Sequence, residues 1–450
     1  MYSSYSSLQQ SQLAAQGYYD TQSTYLLVYA PGRNTALRAT LADQLHRKFR
    51  LADTLGSALT EGVDGVLLVS EDVECMSTAL MCFAKALQDG ADYAVCNAVF
   101  GFGGATALYQ SRAHLAQNRC ALVSRPLLER CRAAAKDPEN VTELLALAAQ
   151  FCTHPARIPQ ALLHYERDIC AEDAFSATGK RAFLMSHVLD MTGAPIVLVS
   201  AVPVLRSMGY EVVVLGPSDG GALQLFVDAG AAVITRPGIR ATPNLWGLAL
   251  CTDLVLVNTV VMARTVRALS GTAVPVLWWL HDAFAGYPHI AHQIPTKLAE
   301  NVRLYSVGHH AANAMHAVRP DFQIGQLIYG LPDYAAEDFP RCDLGYPADK
   351  PLFATVGSFE RRKGHDIFCA AIRLLPEEVR NKATFLFVGM AADKEMMDAV
   401  RSLTTDCPEN VFYCKRLSRD EIKNLMEQCT CLVCASRDDP MPTFVTEGLI

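Results

Sequence analysis

The chain has 450 residues, too many for one ordinary domain, and 51% of them are apolar, enough for two or three full cores. A net charge of −7 argues against a nucleic-acid binder, which needs a basic surface. The 15 cysteines suggest disulfides by number but not by placement: Cys82, Cys96, Cys251, Cys369 and Cys434 fall in apolar segments, where a thiol behaves as a small hydrophobe.

Residues 1–24, rich in Ser, Gln and Tyr, read as a flexible leader without the basic start and apolar core of a signal peptide. No apolar run reaches the ~18–20 residues of a membrane span, so the expected location is the cytoplasm. A first α/β unit follows over 25–166, with strands at 25–29, 65–70 and 93–98 and helices at 34–48 and 76–88. Residues 167–180, polar with small side chains, read as a linker. The stretch 181–335 repeats short apolar strands at 182–186, 211–215, 232–235, 254–258, 274–279 and 304–307. The stretch 336–450 does the same at 352–356, 384–388, 411–414 and 431–435. Such alternation predicts an α/β fold with parallel sheets covered on both faces.

Four strings carry the chemistry. His187-Val-Leu-Asp-Met-Thr-Gly-Ala-Pro195 follows a strand; Thr192 or Asp190 suits a helix cap, Pro195 suits the first turn, and Gly193 leaves room for a ligand. In Trp278-Trp-Leu-His-Asp282, polar His281 and Asp282 end an apolar strand, where α/β sheets present ligand contacts. Gly357-Ser-Phe-Glu-Arg-Arg-Lys-Gly-His-Asp366 links a strand to an amphipathic run, and Arg362 and Lys363 suit a diphosphate. Finally, Asp439 and Glu447 bracket a Pro-broken loop, Asp439-Pro-Met-Pro-Thr-Phe-Val-Thr-Glu447, and suit vicinal hydroxyls. Taken singly, each string is equally a solvated turn or a hydrogen-bonded strand end.

Weaker features include Leu327-Ile-Tyr-Gly-Leu-Pro-Asp333, which reads as a hinge, and Gly101-Phe-Gly-Gly104, which reads as a loop. Cys431-x-x-Cys434 lacks a second pair and reads as core packing.

Together the last three motifs, with the Thr192-Gly-Ala-Pro195 turn, resemble the retaining GT-B glycosyltransferases of the "group 1" family, over about 181–450. The acidic-x7-Glu motif carries Asp439 where the family has Glu, and Ser358 stands where the family has an Arg. The resemblance implies two Rossmann-like domains facing a cleft, an acceptor domain over 181–335 and a donor domain over 336–450. It implies transfer of a sugar from a nucleotide-diphosphate donor to a glycan, lipid-linked or protein acceptor, with retention and without a metal or other cofactor. Polysaccharide or glycoconjugate synthesis is the expected setting, in the cytoplasm or in peripheral contact with the inner face of the cell membrane.

By the same resemblance His281, Asp439 and Lys363 are catalytic. Gly193, Ser358, Arg362, Lys363, Met441, Pro442, Thr443, Phe444 and Glu447 bind the donor, with Glu447 on the ribose hydroxyls. Glu71-Asp-Val-Glu74, after its strand, resembles the metal-holding Asp-x-Asp of GT-A glycosyltransferases, so 25–166 is expected to be a reduced, inactive GT-A-like domain. The chain stops at Ile450, within or just after the first turn of the Glu447 helix, which suggests a truncated product or an incomplete natural end. The alternatives are a non-catalytic nucleotide-sugar-binding module or scaffold, and a nucleotide-sugar epimerase.

Overall fold

In the computed structural model of the chain, the described residues are 18–56, 58–59, 62–101, 106–109, 119–176, 179–218, 220–239, 247–330, 345–347, 349–415 and 417–449. The chain forms two compact units. One runs up to Val257 and includes Arg264–Val276; the other comprises Asn258–Ala263 and Leu277–Ile450.

The first unit begins with β1 (Leu26–Tyr29), β2 (Phe49–Ala52), β3 (Gly65–Val69) and β4 (Glu74–Cys75). It continues with β5 (Tyr93–Phe100), β6 (Thr106–Tyr109), β7 (Cys120–Ser124) and β8 (Pro155–Tyr165). Then come β9 (Lys180–Met185), β10 (Tyr210–Gly216), β11 (Ala232–Thr235) and β12 (Leu254–Asn258). The strands lie in the order β12-β9-β10-β11-β6-β5-β7-β3-β1-β2, with β8 against β5 and β4. Around β9 the pairing is parallel, with β10 on one side and β12 on the other. This reversal of strand order makes the β9 end a switch point, where open α/β sheets place ligands.

β11 pairs antiparallel with β6, so the sheet of β1–β8 and that of β9–β12 are one. β1 and β3 are buried along their whole length, and the core beneath them gathers Leu27, Tyr29, Leu68, Tyr93, Leu128 and Leu144. Two of the helices there, Arg125–Ala134 and Val141–Phe151, were not read from the sequence.

The second unit holds β13 (Val276–Leu280), β14 (Val302–Ser306) and β15 (Ile324–Gln326), adjacent in that order. It also holds a separate parallel sheet, β18-β17-β16-β19, made of β16 (Leu352–Val356), β17 (Thr384–Val388), β18 (Val411–Cys414) and β19 (Cys431–Leu432). Alternation along β17 shows why its sequence is apolar throughout. Phe385 and Phe387 join a core with Phe368, Ile372, Met396 and Val400 from the helices His365–Leu374 and Lys394–Asp406. Leu386 and Val388 face the other way, toward Leu425 of the helix Arg419–Gln428. Both faces are covered, as parallel sheets require.

Several expectations need correction. The helix read over 34–48 ends at Leu41, because the fully buried Gln44 side chain donates to Met76 O (2.8 Å) and accepts from the Leu80 N–H (3.1 Å), turning the chain into β2. The strand read over 431–435 keeps only Cys431–Leu432; Val433 N–H still donates to Ala354 O at 2.8 Å before the chain turns away. β19 is an edge strand, and Cys431, Cys434 and also Cys251 are exposed rather than core. Cys82, Cys96 and Cys369 are buried as expected.

The leader is loose only as an expectation for residues outside the described set. From Tyr18 it forms a 3-10 turn, and Thr21 is buried beside His46. The expected linker is anchored: Arg167 forms a forked ion pair with buried Asp173 (2.6 and 2.9 Å). The boundary expected at 335/336 lies outside the described residues, as do 331–333 of the expected 327–333 hinge and most of Gly101–Gly104.

The Glu71–Glu74 string is engaged by protein partners. Glu71 pairs with Arg167 at 2.6 Å and Glu74 with His164 at 2.6 Å. The Asp72 carboxylate accepts from the N–H groups of Thr35 (2.9 Å), Ala36 (3.1 Å) and Leu37 (3.0 Å), capping the helix Thr35–Leu41 from a distant segment. Asn34, at the N-cap, makes no cap hydrogen bond itself. Asp72→Ala therefore leaves that helix start uncapped and is expected to cost about 1–2 kcal/mol, read as a lower urea midpoint; an unchanged midpoint would show that water serves those amides equally well.

Candidate functional site

The candidate site of the second unit is built where two loops touch. Past β16 the chain makes a 3-10 turn, Arg361–Lys363, and reaches Gly364 at φ 71°. A Cβ there would stand 2.0 Å from Ala435 O, so only glycine lets this turn approach the loop after β19. Arg437 knits the two together. Its N–H donates to Arg362 O (2.7 Å), and its guanidinium donates to Arg361 O (2.8 Å) and, forked, to Asp366 (2.7 and 2.6 Å). The Arg437 hydrogen bonds hold the Asp366 carboxyl below the usual carboxylate range.

This contact brings Lys363 to Asp439, and the ammonium donates to the carboxylate in an ion pair. The two side chains are 17% and 8% exposed, so the pair is partly shielded from water and interacts more strongly than a surface pair. Glu447, also 8% exposed, is ion-paired with Arg419 at the start of the helix Arg419–Gln428.

Ser358 and Arg362 converge on a different group, the Glu360 carboxylate, which accepts from Ser358 Oγ and from Arg362 Nε at 2.7 Å. Burial would raise the Glu360 carboxyl, but the Ser358 hydrogen bond and the Arg362 charge outweigh it and hold it low. The residues Met441–Phe444 are fixed by packing: Tyr329 Oη donates to Met441 O at 3.2 Å, Pro442 precedes the short helix Thr443–Glu447, and Phe444 is buried. Gly193 opens the helix Gly193–Ser207 of the first unit, after Thr192, whose N–H donates to Asp190 at 3.1 Å.

His281 packs against Trp279 in a tilted contact, with ring centroids 4.6 Å apart and ring planes at 58°. Next to it, Asp282 accepts from the Val260 N–H at 2.5 Å. The residue keeps some exposed surface but its carboxylate is enclosed, and burial pushes its pKa up to about 6 against the hydrogen bonds from Val260 and His281 N–H. Val260 is presented by Thr259, which sits at φ 72°, strained for a β-branched residue. That strain is held by two bonds: Trp278 Nε1–H to Thr259 O and Thr259 N–H to Trp279 O, both 2.8 Å.

Sequence reading missed Asp438 and its partners. The Asp438 carboxylate accepts from His310 Nε2 (2.7 Å) and from the N–H groups of Ala285 (2.8 Å) and Phe284 (3.3 Å). Burial would raise its pKa, but these hydrogen bonds hold the carboxyl below the usual range. Its neighbour Asp439 drew attention through the acidic-x7-Glu spacing, whereas His310 lies 128 positions away with no local signal. Arg419 was missed for a similar reason, being hidden behind the Ser418–Glu421 capping box. A groove of about 750 Å³, lined by residues including Lys297, Arg303, Tyr305 and Asp321, shares no residue with this cluster.

Two family models match the chain: "Glycosyl-transferase family 4" over residues 178–316 and "Glycosyl transferases group 1" over 338–449. No curated protein matches. Among solved structures, a sucrose-phosphate synthase from Thermosynechococcus elongatus is similar at 14% identity and TM-score 0.45, over 60% of this chain and 79% of that one. The catalytic domain of starch synthase IV from Arabidopsis thaliana, bound to ADP and acarbose, is similar at 8% identity and TM-score 0.46, over 61% and 81%. A glycosyltransferase from Rickettsia africae ESF-5 is similar at 15% identity and TM-score 0.41, over 57% and 73%.

The raised Asp282 pKa has a signed consequence. The folded carboxyl keeps its proton up to about pH 6, while the unfolded one loses it near 3.8, so folding is favoured at low pH and that contribution fades as pH rises through this window. Asp282→Asn does not titrate. The melting temperature of the variant relative to the parent should climb between about pH 4 and pH 6 and stay level above; a difference flat across that range would mean the carboxyl is not enclosed.

Proposed function

The chain belongs to the group 1 glycosyltransferases, with a family 4 match over 178–316 and a group 1 match over 338–449, and from that premise we propose that it moves a sugar from a nucleotide-diphosphate donor to a glycan, lipid-linked or protein acceptor, with retention at the anomeric carbon and without a metal. The observation that carries this reading is the shielded Lys363–Asp439 pair at the touching ends of the β16 and β19 loops. Lys363 has three N–H donors, and the one given to Asp439 leaves two for phosphate oxygens. Its fixed charge would meet the negative charge that grows on the leaving diphosphate. Lys363 in turn holds Asp439 in place as an acceptor for donor-sugar hydroxyls.

Arg362, Ser358 and the Met441–Phe444 backbone would line the phosphate and sugar, and Glu447 would accept from the ribose. His281 would orient the sugar, with its ring fixed by Trp279. Gly193 would serve the donor from the helix start after β9. Residues 25–166 enter this reading as an inactive GT-A-like part, and the acceptor and donor roles fall on 181–335 and 336–450.

A thermal-shift series without added metal tests it, using UDP, GDP, ADP and dTDP and their common sugar conjugates. At a hundredfold excess over Kd one nucleotide should raise the melting temperature by about 3 °C. Lys363→Ala and Glu447→Ala should abolish that rise while melting cooperatively themselves, and turnover by Glu447→Ala should drop by about two orders of magnitude or more. Silence across the series from a cooperatively melting protein would overturn the reading in favour of a scaffold. Interconverted nucleotide sugars without nucleoside diphosphate release would favour an epimerase.

A further inference from the structure

We propose that Arg419 is a positioning residue that fixes Glu447 for the sugar of the nucleotide, and thereby sets a preference for ribonucleoside over deoxyribonucleoside diphosphates. The inference rests on the reading above, in which Glu447 faces the ribose.

Three observations on the two residues carry it. First, the Glu447 carboxylate is 8% exposed, and its only described hydrogen-bond partner is the Arg419 guanidinium. Arg419 takes Oε1, and Oε2 accepts no hydrogen bond among the described residues. One oxygen is thus pinned and the other left for a ligand. An acceptor held this way is oriented before binding, which is what discrimination between one hydroxyl and none requires.

Second, both residues stand at the wrong ends of their helices. Arg419 is the first residue of Arg419–Gln428, where a cation opposes the helix dipole, while its neighbours Asp420 and Glu421 follow the usual acidic pattern. Glu447 is the last residue of Thr443–Glu447, where an anion is equally disfavoured. Each placement is unfavourable alone and is offset by the other, so Arg419 answers to Glu447 and not to its own helix.

Third, the short helix that carries Glu447 is held independently of Arg419. Tyr329 Oη contacts the preceding Thr446 Oγ1 at 3.3 Å and donates to Met441 O, bracing the short helix from which Glu447 projects. With the backbone braced, loss of Arg419 frees the carboxylate's rotamer without freeing its helix.

The test is calorimetric titration of the full chain with ADP, GDP, UDP, their 2′-deoxy counterparts and inorganic pyrophosphate. The parent should bind one ribonucleotide about tenfold tighter than its 2′-deoxy form, the loss expected for one hydrogen bond to a charged acceptor. In Arg419→Gln that ratio should fall to near one, while the pyrophosphate affinity stays within about twofold. Arg419→Lys should restore part of the ratio, and serves as the measured variant if Arg419→Gln melts early. A ratio kept in a folded Arg419→Gln, a parallel loss of pyrophosphate binding, or a parent indifferent to the 2′-hydroxyl overturns the inference and leaves donor binding standing. A parent that binds neither nucleotide nor pyrophosphate overturns the donor-site reading itself, and the inference with it.

Discussion

The candidate site depends on Arg437. One guanidinium and one N–H tie the loop after β19 to the turn after β16, with Asp366 and the carbonyls of Arg361 and Arg362 as partners. Gly364 permits the approach, and Arg437 holds it. Lys363 and Asp439 lie 76 positions apart in sequence, and they meet only because this backbone contact exists. Arg437 itself needs no contact with a ligand. Five donors in a fixed fork allow one side chain to satisfy a carboxylate and a carbonyl together, which the single ammonium of a lysine does less well.

A second constraint acts on the other side of the same loop. Asp438 points to His310 and the amides of Phe284 and Ala285, while Asp439 points to Lys363. Adjacent carboxylates with opposite allegiances fix the direction of the chain between them. The compact unit that joins 277–330 with the β16–β19 sheet follows from such ties, Tyr329 among them.

What the sequence made legible was the periodic part. β11, β12, β16, β17 and β18 run over the residues expected, because an apolar run bounded by turn residues is a sufficient signal for a strand covered on both faces. β2, β4, β6, β7, β8 and β15 were not anticipated. β2 is only partly buried along its length and β8 alternates irregularly, so neither offers a clean period. At the site, the spacing of Asp439 and Glu447 and the basic turn at Lys363 were readable, since each is a local string. The partners around them were not: Arg419, which pairs with Glu447, and His310, which meets Asp438 beside Asp439, are defined by where the chain folds back. The Glu71–Glu74 string shows the converse, a conspicuous acidic cluster whose members are occupied by Arg167, His164 and a helix start.

The antiparallel pairing of β6 with β11 also bears on how the protein is divided. The family resemblance starts at residue 178, yet the sheet does not break there. A fragment trimmed to the family boundary would strip β11 of its neighbour and bare a row of amide and carbonyl groups on the apolar strand Ala232-Val-Ile-Thr235. Such an edge recruits other chains. The preceding residues therefore sheathe an edge of the family domain, and the stretch that carries the family resemblance is shorter than the sheet it belongs to.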